Sequence, residues 1–397
     1  MMRRHGIPMR ILFCTDTFLP EVNGVTTVLA QMREGLARRG HQVRIAAPRY
    51  PTPATDESGV WRLGAVACPA YPQVRLSWPW GRGLGTHFDQ FSPELVHVVT
   101  EGPLGVFGRH YAQRRGLPLV SSFHTDFPRY AVRYLGPLAA APTWAWLRRF
   151  HQAAVLTQTP SDVTRNELLA HGIPGAVVWG RSVDATWFRP DRRSEGRRVG
   201  LGAAGRALVL HVGRLAVEKD VDTLVASFTE AHRRLGEQAV FCVAGDGPRG
   251  PQVRAALPFA RHVGFLDRTT LADLYADADV FVFPSPTETC GLVALEALAS
   301  GIPVIGANAG GIPESLREGL TGYLIGPGDA EAFAARIEEL VRDGDQRRAM
   351  GEAARGFAVG RDWARELDAL DETYRRVRWT TTAAAAPSAC PTTTSVT

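Results

Sequence analysis

Apolar runs of strand length alternate with helical periodicities, and the alternation starts twice. Met9-Arg10-Ile11-Leu12-Phe13-Cys14 reads as a buried strand that leads into the loop Leu19-Pro20-Glu21-Val22-Asn23-Gly24. Val25, Val28, Leu29, Met32 and Leu36 then recur at helical spacing up to Gly40, a C-terminal cap, and Val43 to Ala46 reads as the next strand. Strand, helix, strand opens a doubly wound parallel sheet. Leu95 to Val99 and Leu119 to Phe123 are further strands. The second start is Ala207 to Val212, with the turn Gly213-Arg214 and a helix from Asp222 to Leu235. Strand Ala239 to Val243 and the turn Gly245-Asp246-Gly247-Pro248 come next. They are followed by strand Asp279 to Phe283 with helix Gly291 to Ser300, and strand Val304 to Gly306 with helix Pro313 to Arg317.

The fold class is therefore α/β, built from two Rossmann-like halves, and 397 residues suffice for two cores. The first half spans 1–187 and the second 205–358. Between them 188–204 reads as a linker because Pro190 to Arg198 is polar and arginine-rich. Trp363, Leu367, Leu370 and Tyr374 share one face of a C-terminal helix, 359–379, expected to pack back on the first half. The Thr/Ala/Pro/Ser-rich stretch 380–397 lacks an apolar period and reads as a disordered tail.

Composition narrows the function classes. The chain is 45% hydrophobic and 21% charged, as in soluble globular proteins, and no apolar run reaches the roughly 20 residues of a membrane span. Ile11 to Phe13 is too short for a signal-peptide core, so a cytoplasmic location is expected. Cys14, Cys68, Cys242, Cys290 and Cys390 are scattered without CxxC pairing or nearby histidines. Neither a disulfide framework nor a metal site is expected. A net charge of +5 permits attraction to anionic partners. Without an arginine stripe bearing interleaved aromatics, nucleic acid is not among them.

The chemistry concentrates between Phe283 and Glu296. A strand ends at Phe283, the chain turns through Pro284 and Pro286, and a helix begins near Gly291. Free N–H groups and the helix dipole make such a junction an anion site, with Gly291 permitting close approach and Leu292 and Val293 presenting amides. Glu288 and Glu296 would bracket the ligand. Carboxylates repel a pyrophosphate, so they would serve hydroxyls. Taken singly, each glutamate is more simply a solvated side chain.

The spacing does not stand alone. Glu288, seven intervening residues and Glu296, with Gly291-Leu292-Val293 between, resemble the E-x7-E motif of family 4 glycosyltransferases. Gly213-Arg214-Leu215 through Glu218-Lys219, Ala244-Gly245-Asp246-Gly247-Pro248 and Ala309-Gly310-Gly311-Ile312-Pro313-Glu314 are similar to further family signatures, in the family's order. So are Leu19 to Val25, Ser122-Phe123-His124-Thr125-Asp126 and Gly180-Arg181-Ser182-Val183-Asp184. The resemblance covers residues 9 to 375 and implies the GT-B fold, two Rossmann-like domains facing a cleft. It implies a retaining transfer from a nucleotide-diphosphate sugar used as co-substrate, with no cofactor and no required metal.

The same resemblance assigns roles. Arg214 and Lys219 would grip the diphosphate, Gly24 would let its loop close over the phosphates, and Glu296 would bind the ribose. Glu288 would bind the transferred sugar with amides from Gly291, Leu292 and Val293, and His124 would stand near the reacting carbon. Gly264, Phe265 and Leu266 would border the base. Asp126 and Arg181 carry weaker expectations: Asp126 orients His124, caps a helix or meets the acceptor, and Arg181 meets phosphate or is structural. Cys290 departs from the Phe common in relatives, a smaller side chain that would alter the sugar pocket without removing the backbone donors.

The likeness is greatest to GDP-mannose-dependent α-mannosyltransferases and sulfoquinovosyl-diacylglycerol synthases. It implies transfer of α-mannose from GDP-mannose to a lipid or glycan acceptor, with a UDP-hexose as the alternative donor. Three basic or aromatic clusters, Arg33/Arg38/Arg39, Arg75 to Arg82 and Trp144 to Phe150, suit peripheral contact with an anionic membrane at its inner face. Each alone is equally an ordinary surface or core cluster. A nicotinamide dehydrogenase is disfavoured because no GxGxxG follows a strand. No Ser-His-Asp or Cys-His arrangement is legible, and a glycosidase is disfavoured because both glutamates lie on one strand–helix unit. A GT-B epimerase and a non-catalytic nucleotide-sugar-binding protein are the remaining rivals, and the filled functional positions argue against the latter.

Overall fold

The computed structural model describes residues 7–52, 58–68, 71–79, 83–361 and 363–385. The chain divides into two compact units. One comprises Met1–Ser122, Phe150–Thr157 and Leu367–Thr397, the other Phe123–Arg149 and Gln158–Glu366.

The first sheet contains β1 (Arg10–Cys14), β2 (Gln42–Pro48), β3 (Val60–Leu63), β6 (Leu95–Val98), β7 (Leu119–Ser122), β8 (Leu156–Thr159) and β9 (Ala176–Val178). Its order is β3-β2-β1-β6-β7-β8-β9, and β4 (Ala65–Cys68) with β5 (Tyr71–Ser77) forms a separate antiparallel pair. β1 is flanked on both sides by parallel partners, which is why Ile11 to Cys14 are all apolar and buried. The helix Gly24–Arg38 follows. Asn23 Oδ1 accepts from the Thr26 amide at 3.0 Å, and Thr26 Oγ1 accepts from the Asn23 amide at 2.9 Å, a reciprocal cap that fixes the start.

In the same unit the C-terminal helix buries Leu367, Leu370 and Tyr374. A Cβ at Gly35 would stand 2.4 Å from Leu367 Cδ1, so the absent side chain makes room for that leucine. Tyr374 Oη lies 2.5 Å from His97 Nδ1. The helix runs from Trp363 to Ala385, six residues into the stretch expected to be disordered. Alanines propagate a helix already formed, and Pro387 stands just beyond its end. Residues 386–397 of that expected tail lie outside the described residues.

The second unit holds a six-stranded parallel sheet, β12-β11-β10-β13-β14-β15. Its strands are β10 (Ala207–Val212), β11 (Ala239–Ala244), β12 (Arg261–Gly264), β13 (Val280–Phe283), β14 (Val304–Ala307) and β15 (Gly322–Ile325). Alternation along β10 sends Leu208 and Leu210 into one core with Tyr275, Phe281 and Leu298. Val209 enters the other, with Phe228, Phe241 and Phe333. The order reverses between β10 and β13, the switch point where doubly wound sheets hold ligands outside their strand ends.

The expected linker is packed secondary structure: a 3-10 turn, Pro190–Arg192, and a helix, Glu195–Leu201. Its arginines pair with one aspartate-rich edge. Arg192 meets Asp273 at 2.8 Å, Arg197 meets Asp277 at 2.7 Å, and Arg193 and Arg198 each meet Asp279 at 2.9 Å. Side chains that looked solvated by composition are ion-paired, with Arg193 and Arg198 sharing Asp279.

Candidate active site

The loops leaving β10, β11, β13 and β14 converge at the switch point. After β10, the Leu215 amide donates to Asp246 O at 3.0 Å and the Arg249 amide to Leu215 O at 2.9 Å, zipping the first loop to the second. After β14, Gly310 and Gly311 lie against the Glu288–Thr289 backbone. Cβ atoms there would come within 2.3 Å of Glu288 O and 2.2 Å of Thr289 O, and the Gly311 amide donates to Glu288 O at 2.7 Å. Gly291 takes φ +74° and precedes the helix Leu292–Ala299, whose first turn no side chain caps. A Cβ on Gly291 would strike Ile312 Cδ1 at 2.3 Å.

Two expected site residues meet directly. Lys219 Nζ donates to Glu288 Oε1, which also accepts from Ser285 Oγ at 2.8 Å. Burial works against the Lys219 charge, but the Glu288 carboxylate more than restores it, so its pKa lies above the ordinary value. Arg214 stands half-buried on the preceding loop. Glu296, on the helix after Gly291, is held differently. Burial raises its carboxyl to about 7, while the Tyr275 hydroxyl and the Arg268 guanidinium pull the other way.

His124 follows β7 in sequence and reaches the same loop. Its carbonyl accepts from Thr289 Oγ1 at 2.8 Å, and its Nε2 is buried without a hydrogen-bond partner. Burial lowers its pKa to about 4, so the imidazole is neutral. Asp126 caps the helix Phe127–Leu135 through the Arg129 amide at 3.1 Å and pairs with Arg129 Nε at 3.0 Å. Arg181 pairs with Glu314 and, at 3.0 Å, with Asp162. Gly264 takes φ +68° with its carbonyl accepting from the Gly245 amide at 2.7 Å, Phe265 is exposed, and Leu266 packs on the core. Gly24 belongs to the first unit, where it opens the helix capped by Asn23.

Comparison with known proteins fixes the class. A family model described as "Glycosyltransferase Family 4" matches residues 22–187, and one described as "Glycosyl transferases group 1" matches 193–357. The chain is 36% identical to a "GDP-mannose-dependent alpha-mannosyltransferase" of Mycobacterium tuberculosis, covering 95% of this chain and 99% of that protein. The chain is a family 4 glycosyltransferase.

It is also 35% identical to "Sulfoquinovosyl transferase SQD2" of Arabidopsis thaliana, over 79% of this chain and 62% of that one. A sucrose-phosphate synthase from Thermosynechococcus elongatus superposes with a TM-score of 0.77 at 20% identity, over 94% of this chain and all of that one. Such structural neighbours carry the GT-B fold that the motifs implied. This hexosyltransferase therefore uses a nucleotide sugar.

Within the transferase, Cys290 does not behave as a wall of a sugar pocket. It lies 7% exposed in the core cluster, and burial pushes its thiol up to about 12.

A serine–histidine–carboxylate series also exists that the sequence hid. In the first unit, Ser121 Oγ lies 2.9 Å from His151 Nδ1, and His151 Nε2 lies 3.2 Å from Glu101 Oε1. Ser121 is fully buried and also bonds Thr157 at 2.9 Å, so no substrate reaches it, and the series serves packing.

Sequence reasoning missed four residues around Glu218 and the Lys219–Glu288 pair. Tyr130 faces it, and its hydroxyl pKa is raised by burial first and by Glu288 and Glu218 next. Tyr134 Oη donates to Glu218 Oε2 at 2.6 Å, and Thr287 Oγ1 donates to Glu218 O at 2.9 Å. His211 donates from Nδ1 to Val282 O at 2.9 Å and keeps a buried, unpartnered Nε2, with its pKa lowered by burial to about 4. A histidine at the end of an otherwise apolar strand was the available signal.

The acceptor clusters divide. Arg38 pairs with Glu34 at 2.7 Å and Arg39 with Asp368 at 2.6 Å, so two cations of this cluster are spent on partners within the first unit. In the second cluster, Trp80, Gly81 and Arg82 lie outside the described residues. Trp78 lines a cavity of about 770 Å³ in the first unit, together with Tyr50, Trp61, Arg62 and His87. In the third, Leu147 and Phe150 are core and Trp144 stacks on His171 at 3.7 Å, whereas Trp146, Arg148 and Arg149 are exposed. No group of three metal-ligating side chains is found among the described residues, and none of their helices is long and apolar enough to cross a membrane.

Proposed function

We propose that this transferase moves α-mannose from GDP-mannose to a lipid or glycan acceptor, with retention of configuration and peripheral contact at the inner face of the cytoplasmic membrane. The mannosyltransferase relative, matched nearly end to end, is the observation that carries the donor.

Arg214 and Lys219 grip the diphosphate and stabilise the charge that builds on the leaving oxygen. The amides of Gly291, Leu292 and Val293 receive phosphate or sugar oxygens at the uncapped helix start. Glu288, shared with Lys219 and Ser285, binds hydroxyls of the transferred sugar. Glu296 binds the ribose, and the backbone at Gly264, Phe265 and Leu266 borders the base. Gly24 closes its loop over the phosphates. The neutral imidazole of His124 hydrogen-bonds a sugar hydroxyl near the anomeric carbon. The acceptor oxygen bonds to that carbon as the carbon–phosphate oxygen bond breaks, on the same face, and the departing phosphate oxygen takes the acceptor's proton. These groups bind and neutralise the diphosphate without a metal.

A UDP-hexose is the second reading, favoured by the sulfoquinovosyl transferase relative, whose transferred sugar is not mannose. Thermal-shift measurements with GDP-mannose, GDP, UDP-glucose and UDP separate the two, since the preferred nucleotide raises Tm most. Release of GDP from GDP-mannose with a diacylglycerol glycolipid acceptor is the expected activity. Release of UDP instead, with no response to GDP-mannose, would overturn the first reading.

A further inference from the structure

Tyr275 is fully buried in the core of the second unit, on the helix Arg268–Asp277 that follows the turn Gly264 to Leu266. Phe188 meets its ring edge to face at 5.7 Å and Phe281 packs on it at 5.6 Å, so the ring has one seat and the hydroxyl one direction. That hydroxyl faces the Glu296 carboxyl, yet Oη is buried without a closed hydrogen bond. Phenylalanine would fill the same seat. A buried hydroxyl left open costs stability, so packing alone does not account for it.

Glu296 is half-buried, so part of its side chain remains open to solvent. The other charged group acting on it is Arg268, whose guanidinium is held by Asp184 at 2.7 Å and stacks over Trp187 at 4.7 Å. We infer that Tyr275 is a positioning residue for the nucleotide: its hydroxyl donates to the Glu296 carboxylate and turns that group to accept from both ribose hydroxyls. This deepens the nucleotide-sugar reading and rests on its assignment of Glu296 to the ribose.

The carboxylate accepts at both oxygens, whereas the carboxylic acid gives one of them up to its own proton. Burial keeps that proton on Glu296 up to about pH 7. Binding therefore expels it. The Glu296 O–H bond breaks, the proton goes to solvent, and the Tyr275, 2′- and 3′-hydroxyls all donate to the carboxylate.

The test is calorimetric titration of GDP and UDP, each beside its 2′,3′-dideoxy counterpart, into the full chain, Tyr275→Phe, Glu296→Gln and the double variant. For the tighter-binding base, Tyr275→Phe should bind the natural nucleotide about five- to tenfold more weakly and the dideoxy nucleotide within about twofold of wild type. Its Tm should be retained, since the ring still fills its seat. In the Glu296→Gln background the same change should cost less than about twofold. Affinity in wild type should rise as pH passes about 7, and Tyr275→Phe should move that midpoint upward, because the hydroxyl no longer favours the ionised form. Protons released by wild type in excess of those released by Glu296→Gln separate this carboxyl from the titrating β-phosphate.

A Tyr275→Phe variant that binds both nucleotides as wild type does, or loses both equally, overturns the inference, as does an unmoved midpoint. Equal losses of natural and dideoxy nucleotide in Glu296→Gln would reject the ribose assignment itself, and the inference with it. Losses confined to the natural nucleotide in Glu296→Gln, with Tyr275→Phe indifferent, keep that assignment and overturn only the role of Tyr275.

Discussion

The ammonium of Lys219 and the carboxylate of Glu288 are direct partners, although the family resemblance assigns each a different piece of the donor to hold. With side chains 19% and 14% exposed, the two charges sit where an unpaired one is costly. Replacing Lys219 with Met strands the glutamate. Stability should fall by about 2–3 kcal/mol and turnover by on the order of 100-fold. The double variant Lys219→Met/Glu288→Gln should recover most of the stability and none of the activity. Denaturant titration with steady-state kinetics checks this, and strictly additive stability losses would reject the pairing as an energetic unit.

Glu288 and Glu296 should fail in different ways. Glu296→Ala is expected to weaken binding of the nucleoside diphosphate by about tenfold or more, the loss of hydrogen bonds to a charged acceptor. Glu288→Ala should leave that binding within about twofold while lowering kcat by on the order of 100-fold. Calorimetric titration of GDP into each variant is the measurement. Equal loss of affinity in both would erase the division of labour.

Glu296 also sets a pH dependence. Its carboxyl is raised from the ordinary 4.5 to about 7, so between those values the folded protein holds a proton that the unfolded chain releases. Stability from this group is therefore full below about pH 4.5 and is lost as pH rises toward 7, up to about 3 kcal/mol. The Glu296→Gln variant should flatten that part of the curve and gain stability over wild type at pH 8. A variant no more stable than wild type at pH 8 would contradict the shift.

Arg198 offers a test far from the chemistry. It is 4% exposed, pairs with Asp279 and donates to the carbonyls of Asp277, Ala203 and Arg206. Arg198→Met should lower stability by about 3–5 kcal/mol, because it leaves buried acceptors unpaired. Ligand binding by whatever fraction stays folded should be unchanged. Thermal unfolding followed by calorimetric GDP titration reads both.

Strand and helix periodicity made the sheets legible, because burial on both faces of a parallel strand leaves a continuous apolar run, whereas the E-x7-E segment was legible only through its resemblance to a family motif. Residues 190–198 were not legible as structure. The aspartates that neutralise their arginines, Asp273, Asp277 and Asp279, lie about 80 positions away, as the 80-residue separation of Arg197 and Asp277 shows. Ser121, His151 and Glu101 were hidden for the same reason. Cys290 was expected to alter the sugar pocket, but its side chain is buried in the core cluster. Tyr130 and Tyr134 escaped because an amphipathic helix does not say which of its faces is the working one.

Gly310 and Gly311 press on the backbone of Glu288 and Thr289 with no room for a methyl group between. For an engineer this separates two kinds of position. Randomising 310 and 311 to retune sugar choice would mostly move the rail on which Glu288 rides, and such libraries should be dominated by inactive clones. Phe265 is exposed and does not support that rail, so substitutions there should leave the Lys219–Glu288 pair assembled.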